Sequence, residues 1–455
     1  MPTKPPDNTP LPLSRKARRT REQPISYLMA AAVGNPKLIS FAAGLVDYET
    51  LPVQETAAAL EGLLGDPLKA RRALQYGTTP GDPDLRRQLL DHLCRLEGVT
   101  PAELSLSIED VLVTTGSQQG LYLLTDVLVD EGDIVIAANP SYFVYTGLLQ
   151  SFGADVRTVP MDEGGIVVEA VAELLGRLER DGELPKLKVV YCQSYYQNPT
   201  GLTLAADRRE PLVELVRQYS RRAGHRIVLL EDAAYRELGY ESEASLPSLK
   251  RYDPGNEFVA SSYTFSKPFA PGVKTGYCFL PRGLADPVLQ QKGNHDFGSP
   301  NLCQALLRDV MREGAYHAHL TAVREGYRRR RDLTLAALQE HLGGIPGISW
   351  TKPAGGLYVW LTLPPQVDTG REGLLFKAIV ECDVLYVPGV FCFQPDAAGC
   401  SPSHHMRLCY GVVPLEKIGE GIGRLASCIK AQMKKPGADP MRSRNVRAPV
   451  SGAAT

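Results

Sequence analysis

The 455-residue sequence lacks an excess of charge of either sign, because 50 lysines and arginines stand against 51 aspartates and glutamates. That balance does not favour binding to nucleic acid or to an anionic membrane. Long apolar runs are also missing: Val384–Phe393, one of the longest, is interrupted by Pro388 and Gly389 and is far shorter than the ~20 residues of a transmembrane helix. The N-terminus has no apolar signal-peptide core. We therefore expect a cytoplasmic protein that binds neither nucleic acid nor membranes.

The sequence also has few features of a disulfide-stabilised or metal-binding protein. Its nine cysteines are odd in number and form no Cys-x-x-Cys motif, which favours reduced, mostly buried thiols. The histidine pairs His404-His405 and His317-x-His319 have no Cys, Asp or Glu at ligand spacing, so we predict no metal site. Apolar residues make up 44% and charged residues 22% of the chain, which are ordinary values for a globular protein.

Composition along the chain predicts four segments. Residues 1–35 form a basic, proline-rich tail, with six prolines and six lysines or arginines within 1–24, and end in a short segment just before the core. A large domain spans 36–340 and a smaller domain spans 341–433. Residues 434–455, which are rich in Pro, Gly, Ser and Ala, form a disordered tail.

In the large domain, short apolar runs alternate with segments of helical periodicity. Strands that are apolar throughout, separated by helices, indicate a mostly parallel α/β sheet covered on both faces. The predicted strands are Val111–Thr115, Asp133–Ala138, Leu187–Cys192, Arg226–Glu231 and Phe258–Tyr263, and the clearest helices are Ser117–Asp130 and Ala205–Arg222.

The pattern changes after one long, arginine-rich helix over residues 314–342. The run Arg328–Arg331 in this helix is typical of a solvated face. Beyond the helix, three strands surround short helices and predict a small α+β C-terminal domain; they are Tyr358–Leu363, Val384–Val387 and Met406–Tyr410.

Four segments place polar or reactive side chains directly after apolar strands. Lys267 lies in a loop before a Pro-Gly turn, Asp232 and Asn198 each follow a strand, and Ser117 and Gln118 begin a helix after Gly116. Each feature alone has an ordinary explanation: a surface lysine, a helix cap or a turn. Their order and spacing over 150 residues (267 − 117) are more informative.

Together these residues supply what is needed to hold pyridoxal phosphate (PLP). Lys267 would form the Schiff base, and Asp232 would keep the pyridine nitrogen protonated, which makes the ring an electron sink. Asn198 and Tyr235 would hydrogen-bond the phenolic oxygen. The phosphate would be held at the helix N-terminus and by neighbouring side chains; the residues concerned are Ser117, Gln118, Thr264 and Lys274.

Over residues 12–433 the sequence resembles the fold-type I PLP enzymes of aminotransferase class I/II. Within them it is most similar to the branch of the aminoadipate and kynurenine aminotransferases, which also includes the aminotransferase-like domains of certain bacterial regulators. The family motif reads Ser-x-Ser-Lys-x-x-x-Pro-Gly-x-Arg-x-Gly. Here Thr264 replaces the first serine, Ser266 and Lys267 match, and Lys274 replaces the arginine. Lysine keeps the charge but loses the bidentate fork, so phosphate anchoring would be weaker.

The resemblance implies further roles. Tyr142 corresponds to the tyrosine that stacks on the cofactor ring, and Tyr76 to one that reaches the phosphate of a neighbouring subunit, which implies a homodimer with shared active sites. Gly44 would lie against the substrate carboxylate, and Arg407 would bind that carboxylate. A planar guanidinium suits this task because it forms two parallel hydrogen bonds.

The resemblance implies transfer of the amino group of an L-amino acid to a 2-oxo acid, most often 2-oxoglutarate. Two alternatives stay open. One is other PLP chemistry on the same fold, as in a lyase, a decarboxylase or a biosynthetic cyclase. The other is a transcriptional regulator, although only 38 residues precede Ile39, too few for a winged-helix domain. By the same resemblance, the segment Ser26–Ala31 at the end of the N-terminal tail corresponds to residues that close over substrate. It contains Tyr27 and no cation, and it favours aromatic or apolar substrates.

Overall fold

The computed structural model describes residues 11–24, 26–28, 34–35, 37–42, 44–241, 246–396 and 398–434. The C-terminal tail predicted from residue 434 lies almost wholly outside the described residues, as do the first ten residues of the N-terminal tail. Of the closing segment predicted at Ser26–Ala31, only its first three residues are described.

The strands are numbered along the chain. They are β1 Ile39–Ser40, β2 Val111–Thr114, β3 Ile134–Asn139, β4 Asp155–Asp162, β5 Gly165–Ile166, β6 Leu187–Gln193, β7 Val228–Asp232, β8 Val259–Thr264, β9 Gly276–Phe279, β10 Ser349–Trp350, β11 Tyr358–Thr362, β12 Val384–Leu385, β13 Val387–Pro388 and β14 His405–Cys409.

The α-helices are numbered in the same way over the described residues. They are α1 Arg15–Arg19, α2 Val53–Leu64, α3 Pro67–Leu74, α4 Pro83–Glu97, α5 Gly116–Leu128, α6 Phe143–Phe152, α7 Val168–Arg180, α8 Ala206–Ala223, α9 Ala285–His295, α10 Asn301–Arg312, α11 Ala315–Leu342, α12 Leu374–Glu381 and α13 Leu415–Met433. Within this part of the chain, no helix combines the length and the apolar composition needed to cross a bilayer.

A mainly parallel sheet forms the centre of the molecule. Among the described residues its eight strands lie in the order β2–β9–β8–β7–β6–β3–β4–β5. The five strands from β8 to β4 are parallel. Strand β9 is antiparallel to both β8 and β2, so the edge strand β2 runs in the same direction as the parallel strands, whereas β5 at the other edge is antiparallel to β4. This confirms the predicted α/β fold with a mostly parallel sheet.

Both faces of this sheet are buried, as near-continuous apolar strands require. In β3, Ile134 and Ile136 pack in one hydrophobic cluster with α7 and α8. The alternate residues Val135 and Ala137 pack in another cluster, with α5 and α6. The apolar runs seen in the sequence therefore mark strands covered by helices on each side.

A smaller α+β unit, also as predicted, follows the long helix α11. Its antiparallel sheet has the order β10–β11–β14–β13 and packs against α12 and α13 in one core. The N-terminal strand joins this unit: Ile39 and Ser40 pair in parallel with Val384 and Leu385, and Phe41 lies in the same core. Residues 39–41, assigned from the sequence to the 36–340 domain, thus pack against C-terminal elements, while the limits of the domains stay a prediction.

The helix α11 corrects one expectation about the arginine run Arg328–Arg331. Arg330 is buried, with 5% of its surface exposed, and its Nη2 donates to Asp47 Oδ1 at 2.7 Å. Its Nε also donates to the carbonyl of Val413 at 3.1 Å. A guanidinium can be buried when acceptors surround it, so this arginine ties the long helix to the segment just after Gly44 rather than facing solvent.

Candidate active site

The residues predicted to bind the cofactor lie where neighbouring parallel strands end. Asp232 is the last residue of β7 and Thr264 the last of β8. Lys267 follows three residues after Thr264, and Asn198 follows five residues after Gln193, the end of β6. Because the carboxyl ends of β6, β7 and β8 lie side by side, these side chains meet at one edge of the sheet, the usual place for a ligand in such a fold.

Asp232 is a buried carboxylate held by hydrogen bonds. Its Oδ2 accepts from the Tyr191 hydroxyl at 2.8 Å and from Gln193 Nε2 at 2.9 Å, and its Oδ1 accepts from the backbone N–H of Ala234 at 3.2 Å. Burial raises the pKa of Asp232, and these three donors oppose the rise. A carboxylate held in this way is suited to stabilise a cation such as a protonated ring nitrogen.

Lys267 reaches the same edge with a perturbed amine. Its Nζ donates to the carbonyl oxygen of Gly44 at 2.6 Å. Burial lowers the pKa of Lys267 to about 8, and the positive charges of Arg407 and Lys274 lower it further, against the opposite influence of Cys409. A lysine with this pKa is partly neutral near physiological pH, and a neutral amine is both a nucleophile and a base.

Arg407 lies on β14 with only 2% of its surface exposed. Its Nη1 donates to Asn198 Oδ1 at 2.9 Å and its Nη2 to the carbonyl of Ala42 at 2.7 Å. The rings of Tyr358 and Phe143 lie 4.6 Å and 5.5 Å from the guanidinium carbon. The buried Nε has no hydrogen-bond partner among the described residues. Because buried donors are nearly always satisfied, this N–H is available to a carboxylate ligand.

Tyr358 is a central residue of the site that the sequence did not reveal. Its hydroxyl lies 2.9 Å from the Tyr235 hydroxyl and accepts from Asn198 Nδ2 at 3.4 Å. A Cβ atom added to Gly44 would come within 3.0 Å of it. The available signal was its place as the first residue of β11, two residues after the pair Gly355-Gly356. Tyr191 and Gln193 were missed as well, although Gln193 pairs with Asp232 across the sheet.

At the predicted phosphate site, the backbone at the start of α5 lies very close to the backbone of β9. Helix α5 begins at Gly116, whose φ of +72° lies in the left-handed region, and the helix has no side-chain cap. Gly276 of β9 pairs with both Thr114 and Thr264. A Cβ on Gly276 would lie 2.6 Å from the backbone nitrogen of Ser117, so only glycine fits. The amides at the start of α5 thus lie beside the end of β8.

The side chains predicted to bind the phosphate at the start of α5 differ in how far they are exposed to solvent. The Thr264 hydroxyl donates to the Ser266 hydroxyl at 3.0 Å and accepts from its N–H at 3.1 Å. Ser117 is half-buried, while Gln118 and Lys274 are exposed. The hydroxyls of Thr264 and Ser266 therefore form a compact polar pair, whereas the two exposed side chains lie at its solvent edge.

Tyr142 lies at the site and Tyr76 does not. Tyr142 precedes α6; burial raises its pKa, the charge of Asp232 raises it further, and the charge of Arg407 opposes the rise. Tyr76 is 84% exposed and its ring meets Phe297 edge to face at 6.0 Å. It lines an open cleft of about 620 Å³ that also contains Thr115. Within one chain, Tyr76 is thus beside the start of α5 but not in contact with Lys267.

This donor set fits pyridoxal phosphate. A reactive lysine, a carboxylate for the ring nitrogen, an amide with a nearby phenol, and a helix N-terminus lie at one edge of the sheet. The unpartnered Nε of Arg407 adds a place for the carboxylate of an amino acid. The arrangement can hold a cofactor and an amino acid together beside a base.

Comparisons with known proteins agree with this chemistry. The family described as aminotransferase class I and II matches residues 36–425. An aromatic-amino-acid aminotransferase of Thermococcus litoralis is 35% identical over 93% of this chain and 94% of its own length. A 2-aminoadipate transaminase of Thermus thermophilus is 34% identical over 87% of this chain and 91% of its own length.

A solved structure gives the same result. The kynurenine aminotransferase of Pyrococcus horikoshii, in complex with PMP, superposes with a TM-score of 0.83. Its sequence is 31% identical, and the match covers 93% of this chain and 98% of that one. The predicted resemblance to the aminoadipate and kynurenine branch is thus confirmed.

We predict that the Lys267 amine becomes reactive at lower pH than ordinary lysines. A depressed pKa means that the amine is protonated below about pH 8 and neutral above it, whereas an ordinary lysine has a pKa of about 10.4. In protein stripped of cofactor, acylation of Lys267 followed by peptide mass spectrometry should reach half its maximal rate near pH 8. A midpoint shared with the exposed lysines would contradict the assigned environment.

Proposed function

The chain belongs to the class I and II aminotransferases, and on that premise we propose that it transfers the amino group of an L-amino acid to 2-oxoglutarate through the site at Lys267. It is a PLP-dependent enzyme of amino-group transfer, as its relatives and structural neighbours are. One observation supports the assignment of roles: the charge of Arg407 acts on the pKa of Lys267, and the charges of Arg407 and Asp232 both act on the pKa of Tyr142, so these groups lie close together.

The residues that would hold the cofactor divide into three groups. Asp232 would pair with the ring nitrogen, and Tyr142 would lie against the ring. Asn198 and Tyr235 would hydrogen-bond the phenolic oxygen. The phosphate would lie at the start of α5; its proposed ligands are Ser117, Gln118, Thr264, Ser266 and Lys274. When bound, the cofactor supplies an electron sink for the bonds to the α-carbon of the substrate.

Lys267 would act as the general base. Its pKa of about 8 keeps a fraction of the amine neutral at physiological pH, so Nζ can accept the proton of the substrate α-carbon and later return it. The hydrogen bond from Nζ to Gly44 O holds the amine beside the segment that would face the substrate.

Arg407 would bind and orient the substrate carboxylate. Its two Nη atoms are fixed by Asn198 and Ala42, and its Nε remains to donate to the ligand. Gly44 keeps this approach open, because a side chain there would meet the Tyr358 hydroxyl. Orientation of this kind lowers the barrier by placing the α-proton within reach of the base.

We propose aromatic or apolar L-amino acids as donors. The segment Ser26–Ala31 contains Tyr27 and no cation to pair with a second carboxylate. Its described part packs toward the small domain: Leu28 is buried in the core of that domain, and the Tyr27 ring lies 3.8 Å from the Arg371 guanidinium. The similarity to an aromatic-amino-acid aminotransferase supports the same class.

Absorption spectroscopy of the loaded enzyme tests the function. Adding phenylalanine or leucine should convert the visible band of the bound cofactor to the pyridoxamine form, and 2-oxoglutarate should restore it. Arg407→Met should lower kcat/KM about 100-fold, because hydrogen bonds to a charged group contribute about 1.5–3 kcal/mol. A matched control is Arg329→Met, which alters an exposed arginine paired with Glu325. Continuous release of ammonia or carbon dioxide, without a new amino acid, would contradict transamination.

We further propose a homodimer in which Tyr76 serves the partner's site. Tyr76 is exposed in the single chain and lies beside α5, but away from Lys267. Apolar side chains on α2 and α3, the two helices that precede Tyr76 in the chain, are exposed as well: Val53 is 70%, Leu68 61% and Leu74 68% exposed. An exposed apolar surface of this kind is typical of a protein interface. A second copy that covers it would bring another Tyr76 toward the phosphate end.

A mixing experiment tests this arrangement. Lys267→Ala removes the base, and Tyr76→Ala removes the proposed phosphate contact. If Tyr76 acts across the interface, a mixed dimer has one site with both residues intact, so subunit exchange should raise the activity above the mean of the two parent variants. If Tyr76 acts within its own chain, mixing gives no increase. Sedimentation of the unmodified protein as a monomer would also refute the proposal.

We also propose that the enzyme works in the cytoplasm. The odd number of cysteines and the lack of a Cys-x-x-Cys motif support a reducing compartment, as does the burial of Cys192, Cys278 and Cys409. Fractionation of cells that express the tagged chain would locate it; secretion of the protein would refute the proposal.

A further inference from the structure

Tyr358 connects the two residues proposed to hold the phenolic oxygen of the cofactor. Its hydroxyl lies 2.9 Å from the Tyr235 hydroxyl and 3.4 Å from Asn198 Nδ2. The tyrosine comes from β11 of the small sheet, whereas Tyr235 and Asn198 follow strands of the large sheet. Nothing in the sequence motifs assigns a role to this hydroxyl.

The orientation of the Asn198 amide is fixed by Arg407. Because Arg407 Nη1 donates to Asn198 Oδ1 at 2.9 Å, the amide oxygen faces the guanidinium and the NH₂ group faces Tyr358. The NH₂ group can only donate. The oxygen of Tyr358 therefore accepts from Asn198, and its own proton must go elsewhere.

The Tyr235 oxygen is the acceptor for that proton. A phenol has one proton to donate and can also accept. If Tyr358 donates to Tyr235, the single proton of Tyr235 is left to point away from Tyr358. The opposite direction would leave the Tyr358 proton without an acceptor among the described residues, at a position that is buried. Burial makes such an unmade hydrogen bond costly.

We propose that Tyr358 is a positioning residue: its hydroxyl donates to the Tyr235 oxygen and so directs the Tyr235 proton toward the phenolic oxygen of the cofactor. The inference rests on the proposed function, because it concerns the same cofactor site. A chain from Asn198 through Tyr358 to Tyr235 strengthens the last donor, since hydrogen bonds in series polarise one another.

The proposed contact would change the electron density of a bound cofactor. Donation from Tyr235 would draw electron density from the phenolic oxygen and so weaken its hold on the proton at the nitrogen that joins Lys267 to the cofactor. Tyr358 would therefore lower the pH at which this proton leaves. Substitution by phenylalanine keeps the ring and its packing but ends the chain at Tyr235.

Spectrophotometric pH titration of the cofactor-loaded enzyme tests this role. In Tyr358→Phe the midpoint of the change in the visible band should move upward by roughly 0.3–1 pH unit, the range expected for weakening one neutral hydrogen bond. We expect kcat to fall more than KM changes, because the substrate carboxylate still meets Arg407.

Tyr386→Phe is the matched control. Tyr386 is fully buried in the small domain and donates one hydrogen bond, to the carbonyl of Thr369 at 2.8 Å. Its loss should lower the thermal unfolding midpoint about as much as the loss of the Tyr358 hydroxyl. It should leave the titration midpoint of the cofactor band unchanged.

The double variant Tyr235→Phe/Tyr358→Phe separates a positioning role from a structural one. Because Tyr358 is proposed to act through Tyr235, the double variant should titrate like Tyr235→Phe alone. Additive shifts, or a Tyr358→Phe enzyme that titrates like the unmodified one, would overturn the inference while leaving the proposed function intact. If the unmodified protein takes up no PLP at all, the proposed function fails first.

Discussion

The hydrogen bonds of one buried guanidinium bring the three parts of this site together. Arg407 comes from the small sheet, Asn198 from the loop after β6 of the large sheet, and Ala42 from the N-terminal segment. A buried arginine needs acceptors on its N–H groups, because an unpaired buried charge is strongly destabilising. These hydrogen bonds join the small domain to both the large sheet and the N-terminal segment. This arrangement also leaves Nε without a hydrogen-bond partner among the described residues, and in the proposed function a substrate carboxylate would become that partner.

The charged side chains near Arg407 lie along one edge of the large sheet. Asp232, at the end of β7, is held by Tyr191 and Gln193, while Lys267 is kept less basic by burial and by the nearby cations. In the proposed binding mode Asp232 would pair with the ring nitrogen, and the cations Lys274 and Arg407 would meet the phosphate and the substrate carboxylate. A cofactor with a cationic ring nitrogen and an anionic phosphate matches this distribution, so binding and chemistry use the same electrostatic arrangement.

Local sequence patterns were sufficient to locate the candidate site residues that directly follow strands. Apolar runs located β6, β7 and β8 to within two residues, and this places Asp232 and Lys267 at the same edge. Residues brought in by long-range packing could not be found in this way. Tyr358 meets Tyr235 across 123 positions and Asn198 across 160, and a lone tyrosine at the start of a strand carries no sign of these contacts. The burial of Arg330 was missed for a similar reason, since its partner Asp47 is 283 positions away.

The central claim is that Lys267 carries the cofactor, and covalent trapping measures this most directly. The protein would be incubated with PLP, reduced with sodium borohydride, digested, and mapped by mass spectrometry, with Lys267→Ala as the control. The account predicts that the pyridoxyl group is found on Lys267 and is lost from this peptide in the control. A modification found chiefly on another lysine, or none on Lys267 after saturation with PLP, would contradict it.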